Sequence, residues 1–163
     1  MATTWAPIGK RPVLRRVTKE RRAISTAVAL TLSGKICKKH FAGSVNSKTL
    51  IVALEHMRSQ LPGRKIILIW DRARIHKSKV VQAYLQQHPE IVIEELPAYA
   101  PQLNPEEYCH GNVKQHLKNA CPKTKEDIRA LLNLGFARLR RRPDLILGFF
   151  HAAGLSVRQL RLP

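Results

Sequence analysis

The sequence predicts an α/β fold, and three observations carry that prediction. Lys65-Ile66-Ile67-Leu68-Ile69-Trp70-Asp71 is a continuous apolar run ending in one carboxylate. That is the pattern of a strand buried on both faces, with its acid at the carboxyl edge of a sheet where α/β sites form. Stretches that read as strands alternate along the chain with stretches that read as amphipathic helices. Finally, Leu96 to Glu107 is a loop stiffened by Pro97, Pro101 and Pro105 that delivers Glu106 and Glu107 into the first turn of a helix.

Taken in order, residues 1–22 form a basic, proline-punctuated arm holding Lys10, Arg11, Arg15, Arg16, Lys19, Arg21 and Arg22. The arm reads either as a phosphate-contacting segment or as a solvated loop. Residues 24–32 place Ile24, Thr26, Val28, Leu30 and Leu32 on one face, as a half-buried strand does. Ser33-Gly34 supplies a hairpin turn, and residues 36–41 return as a second strand. Asn46 or Ser47 caps a helix with an apolar stripe of Leu50, Ile51, Leu54, Met57 and Leu61, stopped by Pro62-Gly63. The strand to Asp71 follows. Val80, Val81, Tyr84 and Leu85 mark a short helix ending near His88-Pro89, and residues 91–96 are another strand. Asn104 caps a helix that starts at Pro105 and carries Glu107, Val113 and Leu117. Thr124-Lys125-Glu126-Asp127 is a capping-box start for a helix facing a core through Ile128, Leu131, Leu132, Phe136 and Leu139. Arg138, Arg140, Arg141 and Arg142 suit the negative end of that helix's dipole. A last apolar helix runs from Pro143-Asp144 past Phe149 and Phe150 and ends near Gly154.

With 163 residues the chain fits one domain and buries roughly 70% of its extended-chain surface. At 44% hydrophobic and 25% charged residues it is a globular composition, which excludes intrinsic disorder. The formal net charge of +18 is the outlier. A field of that size favours polyanions, nucleic acid first among them. Cys37, Cys109 and Cys121 are odd in number and contain no Cys-x-x-Cys pair, which argues against a disulfide framework and for a reducing cytosol. No apolar run approaches the roughly 18 residues of a membrane span, and the first residues lead into no signal core.

An acid at a strand end and an acid at a helix start, brought together by the fold, form a cradle for hard divalent cations. Each acid also has a structural reading. Asp71 can pair with Arg72 or Arg74 at the surface, and Asn104-x-x-Glu107 is a capping pair in its own right. Cys109, His110, His116 and Cys121 do not have the spacing of a zinc site. Lys77, Lys79, Lys114 and Lys118 flank the acids, as phosphate contacts or as solvated lysines.

Asp71-Arg72-Ala73-Arg74-Ile75-His76, followed by Leu96-Pro97-Ala98-Tyr99-Ala100-Pro101-Gln102-Leu103-Asn104-Pro105-Glu106-Glu107, resembles the last two blocks of DDE transposases. More narrowly, it is similar to the bacterial insertion-sequence branch of the mariner superfamily. Trp5-Ala6-Pro7-Ile8-Gly9 resembles the loop after that family's first catalytic strand. The resemblance runs from about residue 5 to the C-terminus, and Pro-x-Leu-Asn-Pro-x-Glu is its specific part.

The resemblance implies a ribonuclease-H-like mixed sheet flanked by helices. Residues 23–120 would be the catalytic core and 121–163 a C-terminal helical extension. Asp71 would be the second catalytic acid and Glu107 the third, 36 positions apart (71 to 107), with Glu106 not a ligand. His76 and Asn104 would support them, and Lys10, Arg11, Arg15, Arg16, Arg72, Arg74, Lys77, Lys114 and Lys118 would contact DNA. The cofactor would be Mg2+ or Mn2+ in a two-metal site. The partners would be transposon ends and target DNA, with an upstream transposase product or a homodimer partner, in the bacterial cytoplasm at the nucleoid and with no membrane. Before Asp71 the only acids are Glu20 and Glu55. The family's first Asp, on the central strand upstream of Trp-Ala-Pro, therefore has no counterpart, and the site is incomplete. The chain is expected to be inactive alone and to expose two strand edges unless another chain supplies that strand. Arg72 stands where the family has Asn, His110 where it has Trp, and Gln102 where it has an acid. The readings are a half-enzyme, a non-catalytic remnant that binds nucleic acid through its basic surface, or an unrelated α/β module.

Overall fold

A computed structural model describes residues 8, 9, 23–118, 120 and 122–155. Trp5, Ala6, Pro7, the arm cations Lys10, Arg11, Arg15 and Arg16, and Cys121 lie outside the described residues.

The chain opens with a hairpin of β1 (Ser25–Leu30) and β2 (Ile36–Phe41). The strands pair antiparallel with Ala29 opposite Cys37. At the tip, Gly34 N–H donates to Thr31 O and the Thr31 hydroxyl accepts from Lys35 N–H. Gly34 has φ +78, and a Cβ there would lie 2.8 Å from Pro143 Cβ, so only glycine lets the tip seat against the last helix.

Helix α1 (Ser47–Gln60) starts at Asn46, which forms a reciprocal capping box with Thr49 and buries Leu50, Leu54 and Met57. The run Ile66–Trp70 is β3, α2 spans Lys79–Gln86 behind a Ser78 cap, and Ile91–Glu95 is β4. Strands β3 and β4 pair parallel, with Trp70 opposite Glu95. A 3-10 turn at Pro101–Leu103 leads into α3 (Pro105–His116). Then come α4 (Lys125–Arg140), with Thr124 and Asp127 forming the capping box, and α5 (Pro143–Ala152). Backbone N–H groups of Lys123 and Thr124 hold the Asp127 carboxyl below its ordinary range.

Neighbours Ile36 and Cys37 point to opposite faces of β2, and each begins a different core. Cys37 joins Leu50, Leu54, Met57, Trp70, Val81, Tyr84 and Ile91. Ile36 joins Cys109, Val113, Phe136, Leu139, Ile146, Phe149 and Phe150. The hairpin is therefore sandwiched, with α1 on one side and α3, α4 and α5 on the other. Burying each of the larger side chains contributes about 1.5–3 kcal/mol before entropy is counted.

The strands make two two-stranded sheets, and no ladder joins them among the described residues. Helix α1 spans the break, because its buried side chains pack with Cys37 of one sheet and with Trp70 and Ile91 of the other. One edge of β1 and one edge of β3 have no ladder partner among the described residues.

Contrary to the expectation of a strand buried on both faces, among the described residues β3 is covered on one face only, by α1 and α2. Its other face leaves Ile67 70% and Ile69 44% exposed, beside Val92 of β4 at 50%. The three C-terminal helices gather on the hairpin instead, so the apolar run does not report two covered faces.

Candidate active site

Asp71 is the first residue beyond β3. Leu96 N–H donates to Trp70 O at 2.8 Å, which carries the β3–β4 pairing to its end. Asp71 and the segment after Leu96 thus leave the same sheet edge together. That segment folds back over the edge through Tyr99, a non-glycine residue at φ 57 whose ring is fully exposed. The result is a cavity of about 370 Å³ lined by Asp71, Arg72, Ala73, the loop from Leu96 to Pro101, Asn104 and Glu107. The strand-end acid and the helix-start acid line one concavity.

The turn after Asp71 is tightly specified. Asp71 Oδ1 accepts from Ala73 N–H at 2.9 Å. His76 Nδ1 lies 2.8 Å from Asp71 O and 3.3 Å from Asp71 Oδ1. The shorter contact, to the carbonyl, is the hydrogen bond. The imidazole is stacked on Trp70 with centroids 4.0 Å apart and planes 6° from parallel. His76 therefore fixes the backbone of Asp71 from a ring that is itself clamped to β3.

The pairing of Asp71 with Arg72 or Arg74 is not the arrangement found. Arg72 Nε is 3.2 Å from Glu95 Oε2 at the end of β4, and Lys77 Nζ is 3.7 Å from the same oxygen. Arg74 is exposed in the same turn. The role of Glu95 was missed in the sequence. Aligning the five residues of β3 with the five of β4 sets Glu95 opposite Trp70, which would have placed it beside residue 72.

At the helix end, Asn104 Oδ1 accepts from Glu106 N–H, and Asn104 N–H donates to Pro101 O. The Glu107 side chain does not complete a capping box. Glu106 turns along the helix to His110, with Nδ1 2.5 Å from its Oε1. Among the described residues the Glu107 carboxylate has no hydrogen bond or ion pair, and it also borders a second groove of about 540 Å³ with Gln102, Tyr108, Gly111, Asn112, Gln115 and Phe149. The two glutamates thus separate, one braced on the helix and one turned to the cavity.

Lys114 and Lys118 are exposed on and just after α3. Cys109 is fully buried among α3, α4 and α5, and burial pushes its thiol up to about 12, so it presents no thiolate ligand at neutral pH.

Residues 1–129 match the family model of the DDE superfamily endonuclease. The chain belongs to that family. Among solved structures, this DDE-family chain is similar to the Mos1 transposase paired-end complex with the left transposon end, with a TM-score of 0.61 and 16% identity. That match covers 90% of this chain and 49% of the other. It is also similar to the catalytic domain of Mos1 mariner transposase, at TM-score 0.58 and 18% identity, covering 79% and 73%. A pre-cleavage Mos1 transpososome matches at TM-score 0.60 and 17% identity, covering 94% and 51%. The chain spans about half the length of the longer transposase chains it matches. No curated protein matches it. The fold is that of the ribonuclease-H-like catalytic domain, with its sheet interrupted between β1 and β3 among the described residues. No helix of the described residues is long and apolar enough to cross a membrane.

Proposed function

We propose that this chain is the C-terminal part of a transposase catalytic domain, acting in DNA transposition by metal-dependent phosphodiester cleavage and strand transfer. The observation that carries the reading is the convergence of Asp71 and Glu107 on one cavity. Two carboxylates are hard oxygen donors that suit Mg2+ or Mn2+, ions commonly held by one or two acids with the remaining positions left to water and substrate phosphate. Among the described residues no group of three or more His, Cys, Asp or Glu side chains gathers to hold a metal, so this donor set is partial.

Bound there, a pair of such ions supplies activation of water or a 3′-hydroxyl and neutralisation of the leaving oxygen. The chain's own residues do the rest. Asp71 presents its carboxylate from a strand end, and His76 holds that residue's backbone against Trp70. Asn104 starts α3 so that Glu107 points to the cavity while Glu106 turns to His110. Arg72, Arg74 and Lys77 in the turn after Asp71, and Lys114 and Lys118 on and just after α3, are exposed and offer positive charge to DNA phosphates. Lys10, Arg11, Arg15 and Arg16 extend that charge in the sequence.

The first acid of the reading comes on a strand that pairs with the vacant edges of β1 and β3, carried by an upstream transposase segment or by another protomer. The unpaired edges support this, since exposed ladder groups are a template for a strand. The bacterial insertion-sequence branch, with action at the nucleoid in the cytoplasm on transposon ends and target DNA, completes the reading. A second reading, a non-catalytic remnant that binds nucleic acid through its basic surface, is favoured by the partial donor set and by the cation at Arg72.

Nicking of supercoiled DNA in Mg2+ or Mn2+ separates the two. The chain alone leaves the plasmid intact, and adding a segment that carries an Asp-bearing strand restores nicking that chelation abolishes. Intact plasmid in every combination, with DNA still bound, would establish the remnant.

A further inference from the structure

A cation immediately after a metal-binding acid is a problem that the structure resolves with a residue of β4. Arg72 follows Asp71 and lines the same cavity. Its Nε lies 3.2 Å from Glu95 Oε2, and Lys77 Nζ converges on that oxygen at 3.7 Å. Glu95 can reach both because the parallel register sets it opposite Trp70, one residue before Asp71. The side chains are partly solvated, at 49% for Arg72, 56% for Lys77 and 35% for Glu95, so the cluster adds little to stability. Its consequence is local charge. Asp71, Glu107 and Glu95 against Arg72 and Lys77 sum to −1, whereas without the Glu95 carboxylate the same groups sum to zero and a dication would approach a neutralised site with a guanidinium free to fold onto Asp71.

We propose that Glu95 is a positioning residue whose carboxylate holds Arg72, together with Lys77, off Asp71 and so keeps the strand-end acid available to a divalent cation. This rests on the reading that Asp71 and Glu107 bind such a cation. It also accounts for how a chain of this family carries Arg beside the acid.

The test is Mn2+ titration of the full chain, following free Mn2+ by electron paramagnetic resonance, with circular dichroism confirming the fold of each variant. Glu95→Gln weakens Mn2+ binding about fivefold, within the range of a partly exposed charge pair. Glu95→Asp retains most of the affinity, and adding Arg72→Asn to Glu95→Gln restores it. Arg72→Asn alone binds Mn2+ at least as tightly as the natural chain, an outcome that does not depend on Glu95→Gln folding. Unchanged affinity in Glu95→Gln, no rescue by Arg72→Asn, or weaker binding in Arg72→Asn alone would each overturn the proposal while Asp71→Ala still loses the metal. Should Asp71→Ala bind Mn2+ as the natural chain does, or the natural chain bind none, the metal-site reading itself fails.

Discussion

Asp71→Ala and Glu107→Ala each lower the reconstituted DNA cleavage by about a thousandfold or more, while Glu106→Ala lowers it far less. The asymmetry between the two adjacent glutamates is the discriminating part. Asp71 and Glu107 line one cavity, and each would supply charge that no neighbour replaces. Glu106 is braced against His110 on the helix surface, so its loss removes a partly buried pair and no ligand. Single-turnover cleavage rates in Mg2+ read the effect, with DNA affinity measured alongside to separate binding from chemistry. Cleavage surviving both Asp71→Ala and Glu107→Ala, or an equal loss in Glu106→Ala, would reject the assignment.

DNA affinity falls steeply with salt. A formal charge of +18 on 163 residues makes counterion release the main source of binding free energy. For about six to ten phosphate contacts, affinity drops by about 10³ to 10⁵ between roughly 50 and 200 mM salt. Lys114→Ala and Lys118→Ala each reduce the log–log slope by about one without changing sequence preference, because both lysines are exposed, on and just after the helix that carries Glu107. Fluorescence anisotropy on unrelated duplexes measures both quantities. A flat salt dependence would remove the electrostatic basis of binding.

Features set by neighbours in the chain were legible beforehand. The hairpin turn at Gly34, the caps at Asn46, Asn104 and Thr124, and the end of β3 just before Asp71 all depend on a few adjacent residues. The choice of Glu107 over Glu106 came from the family motif, and the helix geometry supports the distinction by turning Glu106 to His110. What escaped depends on long-range packing. Whether β3 is covered on one face or two is decided by where α3, α4 and α5 settle, and nothing within Ile66–Trp70 reports that. The Arg72–Glu95 pair joins residues 23 positions apart through the register of two parallel strands (72 to 95), so local pattern offered Arg72 or Arg74 no partner but Asp71.

The central claim is that a strand-end carboxylate and a helix-start carboxylate converge to share a cation. Anomalous diffraction at the manganese edge, from crystals of the chain grown in Mn2+, tests it most directly. The expected result is a peak in contact with the side chains of both Asp71 and Glu107, and its loss in Asp71→Ala. A manganese peak elsewhere on the surface, or carboxylates of residues 71 and 107 too far apart to touch one ion, would contradict it.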